Sequence, residues 1–458
     1  MGVAKLYSQS GGGTKLNGII KDYYVYAGEK VSTGDFVEFI NGVASQQPAT
    51  LVDTAVDNTT THTAYFMSAL ALDDHRVLIT HCHSTTYRLF GTVCTIKDGI
   101  ITPQTDVAID NSNTVHSVKS VLLPNGNVFV SYEANNYNNM LCRICTLNDT
   151  HITSVGTMVN IGNYSPGYSP VVLSNGNVFL AYSANSSNYY LYGTICTISG
   201  TTITAGTSTT LSNTKRSGYY MEALSITDTS IFIAHSSVST NYYLYGMVVS
   251  ISGTTVTAQS DTALNEGMYT SRALSMDKID TNKFFISHEY DGDLYGIVCS
   301  VSGTTVTKGT DTQIFNYVHT ADSSTLTLAT NRVLIVGINN TTDYKMFGVI
   351  CDINDTTISK YTPIIMNSDA YTGWKTSTVL MNDLIFVAHS HTQNSYYLYA
   401  QMFGIVNNQP SSQAMINIYE TQVRKARTSS INGVAKTSGE GGDGTEHNQQ
   451  VNIYVPSL

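Results

Sequence analysis

Along the middle of the chain, apolar residues fall in short runs that alternate with polar ones or stay continuous for a few positions. Gly, Asn, Asp, Ser and Thr punctuate these runs. That spacing predicts strands and leaves no stretch with helical periodicity. A clear example reads Pro170-Val171-Val172-Leu173, then Val178 to Tyr182, then Leu191 to Ile198, then Thr202 to Thr207. Ser174-Asn175-Gly176-Asn177 joins the first two runs as a hairpin turn that tolerates positive φ, and Ser199-Gly200 joins the last two.

The whole unit recurs. The segment Leu191 to Thr204 returns as Leu244 to Thr257 and as Leu294 to Thr307, with weaker copies beginning at Leu89, Met140, Met346 and Leu398. One marker position is Gly91, Cys142, Gly193, Gly246, Gly296, Gly348 and Ala400, at intervals of 51, 51, 53, 50, 52 and 52 residues. Seven copies of four antiparallel strands, with nothing helical between them, predict an all-β fold, a seven-bladed β-propeller. The seventh copy lacks a clear fourth strand after Tyr399 to Val406. Thr50 to Asp57 resembles the fourth-strand endings Gln104 to Asp110 and Ser260 to Asn265. The amino-terminal side is therefore expected to supply the missing outer strand and close the ring.

The predicted propeller spans residues 46–410, flanked by 1–45 and 411–458. The flanks share the pentapeptide Ile40-Asn41-Gly42-Val43-Ala44 with Ile431-Asn432-Gly433-Val434-Ala435. Because a propeller brings its ends together, they are expected to pair into one small β base domain.

Charge changes the picture mainly by exclusion. Only 12% of residues are charged and the formal net charge is −10, which argues against partners among nucleic acids or anionic membranes. No apolar run reaches the ~18 residues that span a bilayer. The first residues show neither an export signal nor a myristoylation pattern, so assembly in a cytoplasm is expected. Five of the seven Cys, at 94, 145, 196, 299 and 351, share one repeat position with Val249 and Phe403, which marks a packed apolar site rather than a metal site.

At the end of the second strand the copies carry His81, Tyr132, Tyr182, His235, His288, Gly337 and His389. The shared need there is a planar ring with a hydrogen-bonding tip, and a pH-sensing ring of imidazoles is the alternative. Chemistry should stand out as something one blade has and the others lack. The non-repeated acids are Glu133, Glu222, Glu289, Asp291 and Asp293, and spacing alone places none opposite another. With no sialidase box, nucleophile elbow or phosphate-binding glycine loop, no catalytic residue, metal or cofactor is expected. The loops joining successive blades carry aromatic rings beside Asn, Ser and Thr, a combination suited to stacking on sugars. The candidate ligand-binding residues are Tyr65, His116, Tyr168, Tyr219, Tyr220, Tyr269, His319, Tyr371 and Trp374. The loops between second and third strands, rich in Asn, Ser and Tyr, are expected on the same face.

The flanks add a resemblance. Ala27 to Phe39, reading AGEKVSTGDFVEF, and Gly433 to Pro456, reading GVAKTSG and ending IYVP, resemble segments of bacteriophage virion proteins of the tail-fibre and capsid-decoration kind. That resemblance implies a non-enzymatic structural protein of a phage-like particle. Its base would bind other virion proteins, its copies would associate on the particle, and its propeller would meet a host-surface glycan. A lectin-like surface module and a glycan-cleaving enzyme are the competing readings.

Overall fold

A computed structural model describes side chains between residues 51 and 412, apart from short stretches in the loops and in several first strands, and backbone strands alone in the flanks. Residues 49–414 form one compact unit, and residues 1–48 with 415–458 form another.

The larger unit is a seven-bladed β-propeller. Blade 3 shows the plan: Tyr168–Val172, Val178–Ala184 and Tyr190–Ser199 pair antiparallel in order. The outer strand comes in two pieces, Thr202–Ala205 and Thr209–Ser212, both paired to the third strand. Around the axis the first strands stand side by side, and that of blade 7 returns to that of blade 1. Blade 7 is composite. Gln409–Ser411 forms the first piece of its outer strand, and Thr54–Ala55 from the other end of the chain forms the second. The expected closure is thus observed, together with a short strand piece that the sequence pattern hides because Pro410 sits in it. An edge strand tolerates a proline there, since the missing N–H would face outward.

Second strands such as Val128–Ala134 and Val178–Ala184 are buried at every position. They lie between neighbouring blades, so both faces are covered, and their runs are continuous rather than alternating. The apolar cores accordingly sit at the blade junctions. Leu78, Cys82 and Val93 of blade 1 pack with Val118, Val130 and Cys145 of blade 2. Phe232 and Val248 of blade 4 pack with Phe284 and Ile297 of blade 5. The seven cysteines are buried and free, and burial pushes the thiols of Cys145, Cys196, Cys299 and Cys351 up to about 12. The marker glycine follows from the same packing. A Cβ on Gly246 would stand 2.8 Å from the Phe232 ring. Gly246→Val is expected to lower stability by about 1–3 kcal/mol, read as a shifted denaturation midpoint.

Near the axis, hydroxyls tie each first strand to the next. Ser68, Ser169, Ser275, Ser324 and Ser377 occupy one repeat position. Their side chains accept the backbone N–H of Ser120, Ala223, Thr325, Thr378 and Ala69 at 2.9–3.3 Å. Lys119 and Glu222 stand at this position in blades 2 and 4, and blade 3 answers Lys119 with Pro170, which has no N–H to satisfy.

In the smaller unit, Gly18–Val25 pairs antiparallel with Gln450–Pro456 and parallel with Gln413–Lys425. Phe36–Thr50 and Gly433–Ala435 complete a closed five-stranded barrel.

Candidate functional site

The loops between second and third strands meet the blade-linking loops on one face. Val115 N donates to Tyr87 O at 2.7 Å, Asn135 N to Thr114 O at 2.8 Å, and Ser183 N to Gly167 O at 3.0 Å. Asn135 Nδ2 also donates to Asn113 Oδ1 at 2.9 Å, and Ser239 Oγ to Thr214 O at 3.0 Å.

Four tyrosines on this face hold left-handed backbone: Tyr87 at φ 53°, Tyr189 at 64°, Tyr242 at 59° and Tyr344 at 44°. Each stands two residues before the Leu or Met that opens the apolar part of its third strand, at 89, 191, 244 and 346. The backbone is pinned there, since Tyr87 N donates to His83 O at 2.7 Å, Tyr189 N to Ala184 O at 3.0 Å and Tyr242 N to Ser237 O at 2.7 Å. A bulky L residue in this region costs about 1–2 kcal/mol, and glycine or asparagine would be the undemanding choice. Blade 5 makes that choice, with Gly292 at φ 82° two residues before Leu294. Strained positions kept in several copies of a repeat point to a use for the side chain. All four rings are half-buried. The Tyr87 ring lies 5.3 Å from that of His116, which belongs to the first strand of blade 2, so this aromatic pair bridges a blade junction.

Of the candidates named from sequence, His116 is brought to that junction. Tyr220 is half-buried in the first strand of blade 4. Tyr168 is turned inward: it is 2% exposed, and its phenol donates to Ser117 Oγ and the Ser131 carbonyl, both at 3.2 Å. Tyr65, Tyr219 and His319 lie in first strands but their side chains fall outside the described residues, as do Tyr269, Tyr371 and Trp374 altogether. The left-handed tyrosines were not singled out by sequence reasoning. Their signal was the recurrence of Tyr-x-Leu or Tyr-x-Met ahead of the third strand.

The repeated histidines have a second partner that residue-by-residue reading missed. His235 Nε2 meets Asp261 Oδ1 at 2.9 Å, His288 meets Asp311 at 2.9 Å, His389 meets Asp53 at 3.0 Å, and His81 meets Asp106 at 3.4 Å. Each acid sits in the break of the outer strand, so the pair straps the second strand to the fourth. The acid also reaches the preceding blade, accepting from Ser212 Oγ at 2.6 Å onto Asp261, from Asn367 Nδ2 at 2.9 Å onto Asp53, and from Asn265 Nδ2 onto Asp311. Three of these rings also stack on the third-strand tyrosines 245, 295 and 399 at 5.9–6.0 Å. Where histidine gives way to Tyr182, the acid gives way to Ser208, 2.6 Å from the phenol. Tyr132 instead donates to Asp110 of blade 1 at 2.8 Å. Burial would raise the Asp110 carboxyl, but bonds from Asn113, Ser112 and Tyr132 outweigh it and hold it at about 2. These dyads are buried and repeated, which makes them junction latches rather than a reaction centre.

Two of the non-repeated acids converge elsewhere. Lys119 Nζ crosses from blade 2 past blade 3 to Glu222 Oε1 at 2.5 Å, and Ser169 Oγ donates to Glu222 Oε2 at 3.3 Å. Glu133, 1% exposed, faces the junction of blades 2 and 3 with neither oxygen partnered among the described residues. The described residues contain no grouping of three or more His, Cys, Asp or Glu arranged for a metal ion.

No protein-family model matches this chain, and no curated protein sequence matches it. Solved structures do. The BP39L lectin from Burkholderia pseudomallei aligns with a TM-score of 0.56 at 8% identity, over 78% of this chain and 99% of its own. The Aleuria aurantia lectin aligns at 0.44 and 12% identity, over 69% of this chain and 100% of its own. The NanB sialidase from Streptococcus pneumoniae aligns at 0.45 and 12% identity, over 82% of this chain and 70% of its own. At 8% identity the likeness to the Burkholderia lectin establishes a shared fold.

Proposed function

We propose that this chain is a carbohydrate-binding propeller that holds glycans without cleaving them, in the clefts where the left-handed tyrosines meet the next blade. The observation that carries this reading is the set of Tyr87, Tyr189, Tyr242 and Tyr344, each held at a backbone cost on the face shared by the polar loops. A tyrosine offers a sugar an apolar face and a hydrogen-bonding tip at a low entropic cost. Asn, Ser and Thr around it supply donors and acceptors for hydroxyls. The fold shared with the Burkholderia lectin supports the same reading. Three of the five non-repeated acids are poorly disposed for hydrolysis: Glu133 is buried, Glu222 is committed to Lys119 and Ser169, and Glu289 accepts the Gly292 N–H at 3.1 Å.

A glycan array followed by product analysis tests this. Retention of neutral glycans with no released product is the expected outcome, whereas cleavage products would move the chain to the enzymes. A second reading, display on a phage-like particle through the flanking β unit, is favoured by the two flank segments. It is compatible with glycan binding. Loss of particle incorporation on removing residues 1–45, with the propeller still folded, is its test.

A further inference from the structure

The position after the repeated ring on the second strand is Cys82, Glu133, Ser183, Ser236, Glu289, Ile338 and Ser390. It faces the next blade. Cys82 Sγ donates to Val115 O of blade 2 at 2.8 Å, and Glu289 caps its own turn through Gly292 N at 3.1 Å. Glu133 does neither, and its carboxyl is enclosed between two blades. Across from it on the first and third strands of blade 2 stand Ser117 and Met140. Among the described residues, the titratable groups that share its surroundings are the phenol of Tyr168 on the first strand of blade 3, Cys142 on the third strand of blade 2 and Glu222 of blade 4, all coupled through that phenol, and Lys119 lies two residues along from Ser117 on the first strand of blade 2. Lys119 is engaged by Glu222. Glu133 and Glu222 both act on the Tyr168 phenol, which burial already pushes far above its ordinary range. A negative charge on Glu133 would therefore meet no compensating partner among the described residues.

We propose that the junction of blades 2 and 3 is a proton-held latch, closed while the Glu133 carboxyl keeps its proton and loosened when that proton passes to solvent. Burial alone pushes this carboxyl up to about 8 from an ordinary 4.5. The sign follows: an opened junction gives up the proton near the ordinary value, the closed one only near the raised value. Closure thus weakens as pH rises through that window and levels off above it. The strand acted upon, Tyr168–Val172, is the shortest of the described first strands and is spanned by the Lys119–Glu222 clamp.

Hydrogen exchange on the full chain from pH 5 to 9, corrected for intrinsic rates, tests the latch. Amides of Tyr168–Val172 should open about tenfold more per pH unit between about pH 5 and 8. Glu133→Gln should flatten that dependence and reduce opening at pH 8 on the order of a thousandfold. Glu133→Ser, the residue used in blades 3, 4 and 7, should flatten it equally and covers the case in which the amide misfolds. A flat wild-type profile, or an unchanged slope in both variants, would overturn the proposal.

Discussion

Replacing Tyr87, Tyr189, Tyr242 and Tyr344 together by glycine is expected to abolish retention on a multivalent glycan surface while leaving the ring folded. Each substitution removes a half-buried ring, which lowers stability, and relieves left-handed strain of about 1–2 kcal/mol, which raises it. The two effects oppose each other, so the net change in stability should be small. Binding has no such offset. If several equivalent junctions engage one surface, avidity exceeds single-site affinity by about 10²–10⁴-fold, and that factor disappears with the rings. Single Tyr→Gly changes should cost only a fraction of it. Surface binding of the glycan found on the array, measured beside a denaturation midpoint, separates the roles. Four rings that merely pack would show a large drop in midpoint and unaltered binding, and that result would sink the assignment.

The repeat was legible because every blade buries its second strand on both faces, so the same apolar run had to recur at each junction. The marker glycine was legible for a related reason: Phe179 and Phe232 lie across Gly193 and Gly246. The Asn175-Gly176 turn appears as read, with Gly176 at φ 80° and its N–H donating to Leu173 O. What stayed hidden depends on pairs rather than single positions. The histidine position looked tolerant of tyrosine until its acid was considered with it. His goes with Asp at 81/106, 235/261, 288/311 and 389/53, and Tyr182 goes with Ser208. The two members are separated by the whole third strand. The left-handed tyrosines were hidden for the opposite reason, because local propensity assigns such φ values to Gly, Asn or Asp. A site that departs from local preference is readable only from the backbone it adopts. The break in the outer strand was equally silent, since the run read as Thr202 to Thr207 covers the first piece, Thr202–Ala205, and gives no sign of the second, Thr209–Ser212.

Asp53→Ala is expected to be the most damaging single change in the propeller, because it removes the acid that closes the ring. Asp53 Oδ1 accepts from His389 Nε2 at 3.0 Å across 336 positions of sequence, and Oδ2 accepts from Asn367 Nδ2 at 2.9 Å. His389 is fully buried, so alanine would leave its N–H unpaired in the interior. Two lost bonds to a charged acceptor amount to about 3 kcal/mol or more. Asp261→Ala removes similar bonds in blade 4, but there the outer strand is continuous with the chain on both sides. In blade 7 the strap is also held by the Thr54–Ala55 ladder, Leu51 N to Ser412 O at 2.7 Å, Val56 N to Leu398 O at 2.9 Å, and Gln401 Nε2 to Leu51 O at 2.9 Å. Once the strap lifts, the third strand of blade 7 loses its second outer partner, and no adjoining first piece of the same strand holds it in place as in blade 4. Asp53→Ala should therefore lower the denaturation midpoint more than Asp261→Ala and expose residues 49–57 to limited proteolysis. Asp53→Asn, which keeps an acceptor for His389, should recover part of the loss. Equal midpoints for the two alanine variants, with the strap still protected, would show that the ring is held shut by its junction cores and not by this latch.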